Sequence, residues 1–132
     1  MQDRKKIRIL IIDDDDTFRE LASMLLAEAG YAIETAEDAI EGGKALLTRA
    51  FDLVISDINM PYMNGLELAK AIRGNPQFEN VPILMVTTRG NKEDVIEAMK
   101  IRVNNYIIKP FTPQGLKDKI DQILKTEEPK LS

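Results

Sequence analysis

The chain has no cysteine and no histidine. The first absence excludes disulfides, iron–sulfur clusters and thiol nucleophiles. The second removes Ser–His and Cys–His catalysis, imidazole metal ligands and any role as a phosphohistidine carrier. Long apolar runs are also missing, and none approaches the ~20 residues of a membrane span. The stretch Ile7 to Ile12 is short, is interrupted by Arg8 and follows a charged Met1-Gln2-Asp3-Arg4-Lys5-Lys6. That pattern does not fit a signal peptide, so the expected location is the cytoplasm. Positive charge is not in excess: 18 Lys and Arg stand against 22 Asp and Glu, for a net charge of −4. Such a chain is a poor general binder of nucleic-acid backbones. No Gly-rich phosphate loop of the GxxxxGK[ST] kind occurs, which argues against a bound nucleotide.

What is present suits one ordinary domain. The 132 residues are 44% hydrophobic and 30% charged, enough to bury a core without staples. Apolar β-branched runs alternate with helical patterns. Strands are expected at Ile7–Ile12, Tyr31–Thr35, Phe51–Ser56, Val81–Val86 and Asn105–Ile108. Between them lie helices. Phe18, Leu21, Ala22, Leu25 and Ala29 recur at helical spacing up to Gly30. Ala36 to Arg49 follows, interrupted by Gly42-Gly43. Leu66 to Arg73, a helix capped by Asn91 that runs to about Lys100, and a last helix to about Lys125 complete the set. Residues 1–6 and 126–132 read as tails around a domain at 7–125. Five β–α units imply a parallel sheet with helices on both faces. The first, third and fourth strands are the most apolar and should be central, which leaves the second and fifth as edges. The expected fold is a flavodoxin-like (βα)5 three-layer α/β sandwich with strand order 2-1-3-4-5, its ligand site at the carboxyl ends of the first and third strands.

Polar residues from distant parts of the chain should meet at that edge. The first strand runs into Asp13-Asp14-Asp15-Asp16, the third into Asp57, the fourth into Thr87-Thr88 and the fifth into Lys109-Pro110. Asp15 and Asp16 have a simpler reading as helix-start residues, with Thr17-Phe18-Arg19-Glu20 fitting a capping box. Several carboxylates in one patch need a cation or a proton, since two at ~4 Å repel by about 4 kcal/mol at an effective dielectric near 20. An all-oxygen donor set favours Mg²⁺, Mn²⁺ or Ca²⁺, and an open site with few carboxylates suits Mg²⁺ best. Lys109 could then balance an arriving phosphoryl group, and Asp57 could be the nucleophile that carries it.

At these residues the sequence resembles the receiver domain of bacterial response regulators. The likeness lies in Ile9-Leu10-Ile11-Ile12-Asp13-Asp14, Asp52-Leu53-Val54-Ile55-Ser56-Asp57-Ile58-Asn59-Met60-Pro61, Pro82-Ile83-Leu84-Met85-Val86-Thr87 and Tyr106-Ile107-Ile108-Lys109-Pro110-Phe111. Within that family it is similar to the stand-alone regulators of chemotaxis, through Asn91-Lys92-Glu93 and Lys109-Pro110-Phe111-Thr112. The resemblance implies a switch that Asp57 operates by accepting a phosphoryl group from a histidine kinase. It implies Mg²⁺ held by Asp14 and Asp57, by the backbone carbonyl of Asn59 and, through water, by Asp13. It implies that Lys109 pairs with Asp57 and then with the phosphoryl group, that Thr87 moves toward it, and that Tyr106 turns inward. The Lys109–Pro110 bond is expected to be cis. The implied output surface lies around Lys92, Val95, Tyr106 and Lys119. The partner would be a separate protein, the flagellar motor switch for a chemotaxis regulator, and the chain a monomer. Two departures stand out: Lys100-Ile101-Arg102-Val103 replaces small residues and a glycine, and Arg89 is bulky where water would approach the phosphoryl group.

Other readings stay open. The chain can be the receiver of another stand-alone regulator, of a relay intermediate or of a longer DNA-binding regulator. An aspartate-nucleophile phosphatase is disfavoured because Asp57-Ile58-Asn59 lacks the second acid that such enzymes place there. A flavin carrier is disfavoured because four aspartates would repel the flavin phosphate.

Overall fold

The computed structural model describes residues 6–88 and 90–127; of the expected tails at 1–6 and 126–132, residues 1–5 and 128–132 lie outside the described residues, as does Arg89. The element order is β1 (Arg8–Ile12), α1 (Asp16–Glu28), β2 (Ala32–Ala36), α2 (Ala39–Thr48), β3 (Leu53–Ser56), α3 (Gly65–Arg73), β4 (Ile83–Thr87), α4 (Lys92–Lys100), β5 (Asn105–Ile108) and α5 (Pro113–Glu127). The strands form one parallel sheet in the order β2-β1-β3-β4-β5, as their relative hydrophobicity implies. Among the described residues no helix is long and apolar enough to cross a membrane.

The three central strands are buried on both faces, so their side chains alternate between two cores. Leu10, Ile12, Val54, Ile83 and Met85 pack with Leu46, Leu68, Ala69, Ile72 and Ile101 under α2, α3 and the end of α4. Ile9, Ile11, Leu53, Ile55, Leu84 and Val86 pack with Ala22, Leu26, Leu116, Ile120 and Ile123 under α1 and α5. A β-branched residue suits such two-sided burial because its stiff side chain loses little on ordering.

The boundaries hold some corrections. Ala36 ends β2 rather than opening α2, because it pairs with Ile12 in the sheet; α2 starts at Ala39, where the Asp38 carboxylate accepts from the Glu41 amide at 2.9 Å. The N-cap of α1 is Asp15, accepting from the amides of Thr17 and Phe18, so Thr17 does not open a capping box. The box that does form is at α3, between Asn64 and Glu67. Asn91 caps α4 as its sequence implies. The last helix continues through Glu127, two residues past its expected end.

One side chain ties the lower rim together. The Arg73 guanidinium donates to the carbonyls of Glu79 (3.0 Å), Val81 (2.7 Å) and Arg102 (2.9 Å) and to Asn104 Oδ1 (3.1 Å). It thereby joins α3, the loop into β4 and the loop into β5. Five donors in a fixed fork suit arginine to such a cluster of carbonyls.

The Gly42-Gly43 pair divides into two roles. A Cβ on Gly42 would sit 2.5 Å from Ile12 Cδ1, whereas one on Gly43 meets nothing within 4 Å. Gly42 lets α2 lie close on β1; Gly43 only costs helix propensity. Gly43→Ala should therefore raise stability by about 0.5–1 kcal/mol, and Gly42→Ala should lower it by about 1–3 kcal/mol through overpacking. Urea unfolding of both variants measures the two shifts, and shifts of the same sign would contradict this division.

Candidate functional site

The parallel sheet delivers four strand ends to one edge. Asp13 and Asp14 follow β1, Asp57 follows β3, Thr87 ends β4 and Lys109 follows β5. Carboxylate oxygens of Asp13, Asp14 and Asp57 lie within 4.8 Å of one another. Asp13 is fully buried, Asp57 is 8% exposed and Asp14 is open to solvent. Asp15 and Asp16 belong to the start of α1, as N-cap and first residue; Asp16 pairs with Arg19, and neither joins the cluster. Arg19 also donates to the backbone carbonyl of Asp13, which fixes the turn that aims the acidic pair.

Lys109 closes the cluster. Its Nζ lies 2.8 Å from Asp13 Oδ2 and 3.4 Å from Asp57 Oδ2. The closer partner is thus Asp13, where the resemblance pointed to Asp57. The ammonium also sits 4.3 Å from the centre of the Phe18 ring, and Phe18 meets Phe111 edge to face at 5.9 Å. The Phe18 ring covers one side of the ammonium and favours its charge. Burial alone lowers the lysine pKa, yet the hydrogen bond to Asp13 and the charges of Asp13 and Asp57 outweigh it and hold the ammonium above its ordinary value. Burial pushes the Asp13 carboxyl above the usual carboxylate range, against the opposing pull of Lys109 and the Asp15 amide. The Lys109–Pro110 peptide is cis, as expected, and the Lys109 amide donates to the Thr87 carbonyl at 2.8 Å.

Asp57 is held at its backbone and at one oxygen. Its Oδ1 accepts from the amides of Ile58 (2.6 Å) and Asn59 (3.3 Å). Gly65 presses on it from α3: a Cβ there would lie 2.0 Å from the Asp57 carbonyl oxygen. The Gly65 amide donates to the Ile58 carbonyl at 2.8 Å, closing the base of the β3–α3 loop. At its tip, the Met63 amide donates to the Pro61 carbonyl at 2.8 Å around Tyr62, which has φ 72° and is 82% exposed. Only a three-residue turn gives that bond, and it is strained for an aromatic side chain.

The remaining expected residues fall on the fold as follows. Thr87 is fully buried at the end of β4 and is paired in register with Ile108. Tyr106 pairs with Met85, lies on the same sheet face as Thr87 and packs half-buried against the α2–α3 core. Lys92 is exposed, and Val95 and Lys119 are half-buried, with Lys119 Nζ 3.3 Å from Asn105 Oδ1. Ile96 and Met99 of α4 and Ile108 of β5 are also exposed. Sequence reasoning missed Phe18 as a cover for Lys109 and Gly65 as a backbone contact for Asp57. The signals were present: Phe18 stands one turn beyond the aspartate run, Phe111 directly follows Lys109-Pro110, and Asn64-Gly65 opens a helix.

The donor set is three carboxylates, all hard oxygens, with no nitrogen or sulfur ligand. That set fits a hard divalent cation, which would offset the repulsion among them. A carboxylate anchored at one oxygen, beside a cation site and an ammonium, is placed for attack on an electrophile such as phosphorus. Asp57→Asn keeps the oxygen that the two amides bind and removes one of three crowded charges. Without divalent cations it should raise stability by about 1 kcal/mol, since each pair repels by roughly 3 kcal/mol at an effective dielectric near 20, before screening and before loss of the longer Lys109 contact. Urea unfolding in EDTA checks this; a less stable variant would mean that Lys109 already neutralises the site.

Comparison with known proteins gives one consistent result. A family model described as the response regulator receiver domain matches residues 9–121. The chain is 43% identical over 124 residues to the chemotaxis protein CheY1 of Helicobacter pylori, covering 92% of this chain and 100% of that one. It is 46% identical over 123 residues to the chemotaxis protein CheY homolog of Campylobacter jejuni, covering 91% and 94%. The solved structure of the chemotaxis protein CheY4 of Vibrio cholerae superposes with a TM-score of 0.87 at 36% identity, covering 91% of this chain and all of that one.

Proposed function

Since the chain belongs to the response regulator receiver domain family, we propose that Asp57 is its phosphoacceptor and that the charge it gains resets a protein-binding face. The chain is a signalling protein of two-component systems, homologous to chemotaxis regulators. The observation that carries the proposal is the meeting of Asp13, Asp14 and Asp57 around one point with Lys109 against two of them.

Magnesium is the cation that suits an open, carboxylate-poor oxygen site intended for phosphoryl chemistry. Asp14 and Asp57 would hold it directly, the Asn59 carbonyl would add a third oxygen, and Asp13 would act through water. When bound, it supplies positive charge against the phosphoryl oxygens. The chain's own residues do the rest. An Asp57 oxygen bonds to phosphorus, the phosphorus–nitrogen bond of a histidine kinase's phosphohistidine breaks, and the imidazole leaves with the electron pair and takes up a proton. The amides of Ile58 and Asn59 orient the attacking carboxylate. Lys109 turns from Asp13 toward the phosphoryl oxygens, and the Thr87 hydroxyl donates to another. Phosphorylation brings close to two negative charges and three strong acceptors, so both groups gain partners. Movement of Thr87 opens space on the sheet face it shares with Tyr106, which turns inward. The surface around Lys92, Val95, Tyr106 and Lys119 then changes for a separate output protein, the flagellar motor switch in the chemotaxis reading. In this reading the protein works as a cytoplasmic monomer. Arg89 lies outside the described residues, so its expected influence on water has no structural account.

Acetyl phosphate with Mg²⁺ should add one phosphoryl group, read by intact mass. Asp57→Asn should abolish the addition; a group that still adds to that variant would refute the assignment. Asp14→Ala should weaken Mg²⁺ binding by roughly tenfold or more, read by metal titration, and an unchanged titration would remove Asp14 from the metal set. Lys109→Ala should still accept the phosphoryl group but lose the accompanying amide shifts across α4, β5 and α5 in NMR spectra. Full shifts in that variant would show that the face is reset without Lys109.

A further inference from the structure

At the rim opposite the phosphoacceptor, the C-terminal ends of α3 and α4 flank an open notch of about 410 Å³ lined by Lys70, Arg73, Glu97, Lys100 and Arg102. We propose that this notch binds a compact small-molecule anion carrying two or more phosphate groups. The inference is independent of the role given to Asp57.

Four cations face one acid there, in a chain whose net charge is −4. The Arg73 guanidinium is committed to carbonyls and to Asn104. Among the described residues no ion pair or hydrogen bond engages the side chains of Lys70, Lys100 or Arg102. Cations at helix C-termini complement the helix dipole, and that accounts for Lys70, Arg73 and Lys100, which occupy the last turns of α3 and α4. It does not account for Arg102. This residue lies past the C-cap Ile101, with φ 69°. The Arg102 amide donates to the Met99 carbonyl and the Val103 amide to the Ala98 carbonyl, both at 3.0 Å. Such a pair closes a helix through a left-handed residue, a seat that glycine fills without strain. What the fold takes from Arg102 is backbone: these amide bonds and the carbonyl that Arg73 holds. Glycine would supply all of it. The strained position is therefore occupied by a side chain that the fold does not use.

The chemistry of the occupant follows from the cations. A guanidinium fork binds phosphate oxygens in pairs, and two ammonium groups add point charges. The volume lies in the range of small-ligand pockets. The carbonyl ends of two helices also converge here and oppose a weakly charged anion. Only a multiply charged one, paired directly with Lys70, Lys100 and Arg102, gains overall.

The test is a titration of the full chain with inorganic pyrophosphate, in EDTA and at constant ionic strength, followed by backbone amide NMR. Saturable shifts are expected at Lys70, Gly74 and Lys100 to Val103. Arg102→Gly should weaken binding by about tenfold or more, equivalent to ~1.4 kcal/mol, while raising the melting temperature. Lys100→Gln should weaken it severalfold while lowering the melting temperature slightly, through loss of the helix-dipole partner. A parallel titration with ADP distinguishes sources of the same chemistry: tighter binding than pyrophosphate identifies a nucleotide, and equal binding identifies the phosphates alone. The proposal is overturned by absence of saturation with pyrophosphate, by equal shifts with sulfate, or by wild-type affinity in Arg102→Gly.

Discussion

Asp13, Asp14 and Asp57 bring carboxylate oxygens within 4.8 Å of one another, and one ammonium, Lys109, faces them. The sheet enforces this crowding. Parallel strands all end on the same edge, so residues that close β1, β3 and β5 must meet whatever their charge. Core packing on both faces of β1, β3 and β4 holds the strands in register, and that packing is large compared with the repulsion it overcomes. The site is therefore stored electrostatic tension, kept in place by apolar burial elsewhere in the chain.

Rigid features surround the tension and limit how it can relax. Gly65 allows α3 to press on the Asp57 backbone, and two amides pin one carboxylate oxygen. Phe18 covers one side of Lys109 and is itself braced edge to face by Phe111. Thr87 and Tyr106 occupy the same sheet face, and Tyr106 is only half-buried. In the proposed reading, a charge change at Asp57 passes along this shared face toward β4 and β5.

Much of this could be read from the chain because its strongest signals are periodic and local. Apolar runs separated the central strands from the edge strands, and that ranking set the sheet order. Strand ends then named Asp13, Asp14, Asp57, Thr87 and Lys109 together. What escaped was set by tertiary contact. Ala36 has the propensity of a helix residue but is claimed by pairing with Ile12. Thr17 fits a capping pattern, yet Asp15 reaches the amides first. Gly42 and Gly43 look alike in sequence and differ only in what faces them. Arg73 and Arg102 meet across 29 positions through a guanidinium–carbonyl bond that no periodicity announces.

The charge balance explains why the switch in the proposed reading has to be a rearrangement. Three carboxylates and one ammonium leave the pocket at about −2, which a divalent cation brings close to neutral. Phosphorylation replaces the single charge of Asp57 with close to two. No second ammonium or guanidinium pairs with the three carboxylates among the described residues; Arg19 reaches only the Asp13 backbone carbonyl. The extra charge must therefore draw on Lys109, whose nearest partner is Asp13 at 2.8 Å. Asp13 is fully buried, and burial already favours its neutral form. Giving up Lys109 thus costs least where the cation or a proton can replace it, and the phosphoryl group gains an ammonium held close to a ring face. Because Lys109 is fixed in the backbone by its bond to the Thr87 carbonyl, the same movement bears on the strand that carries Thr87. In the proposed reading, the exchange of partners at one lysine would carry a local change in charge to β4 and β5.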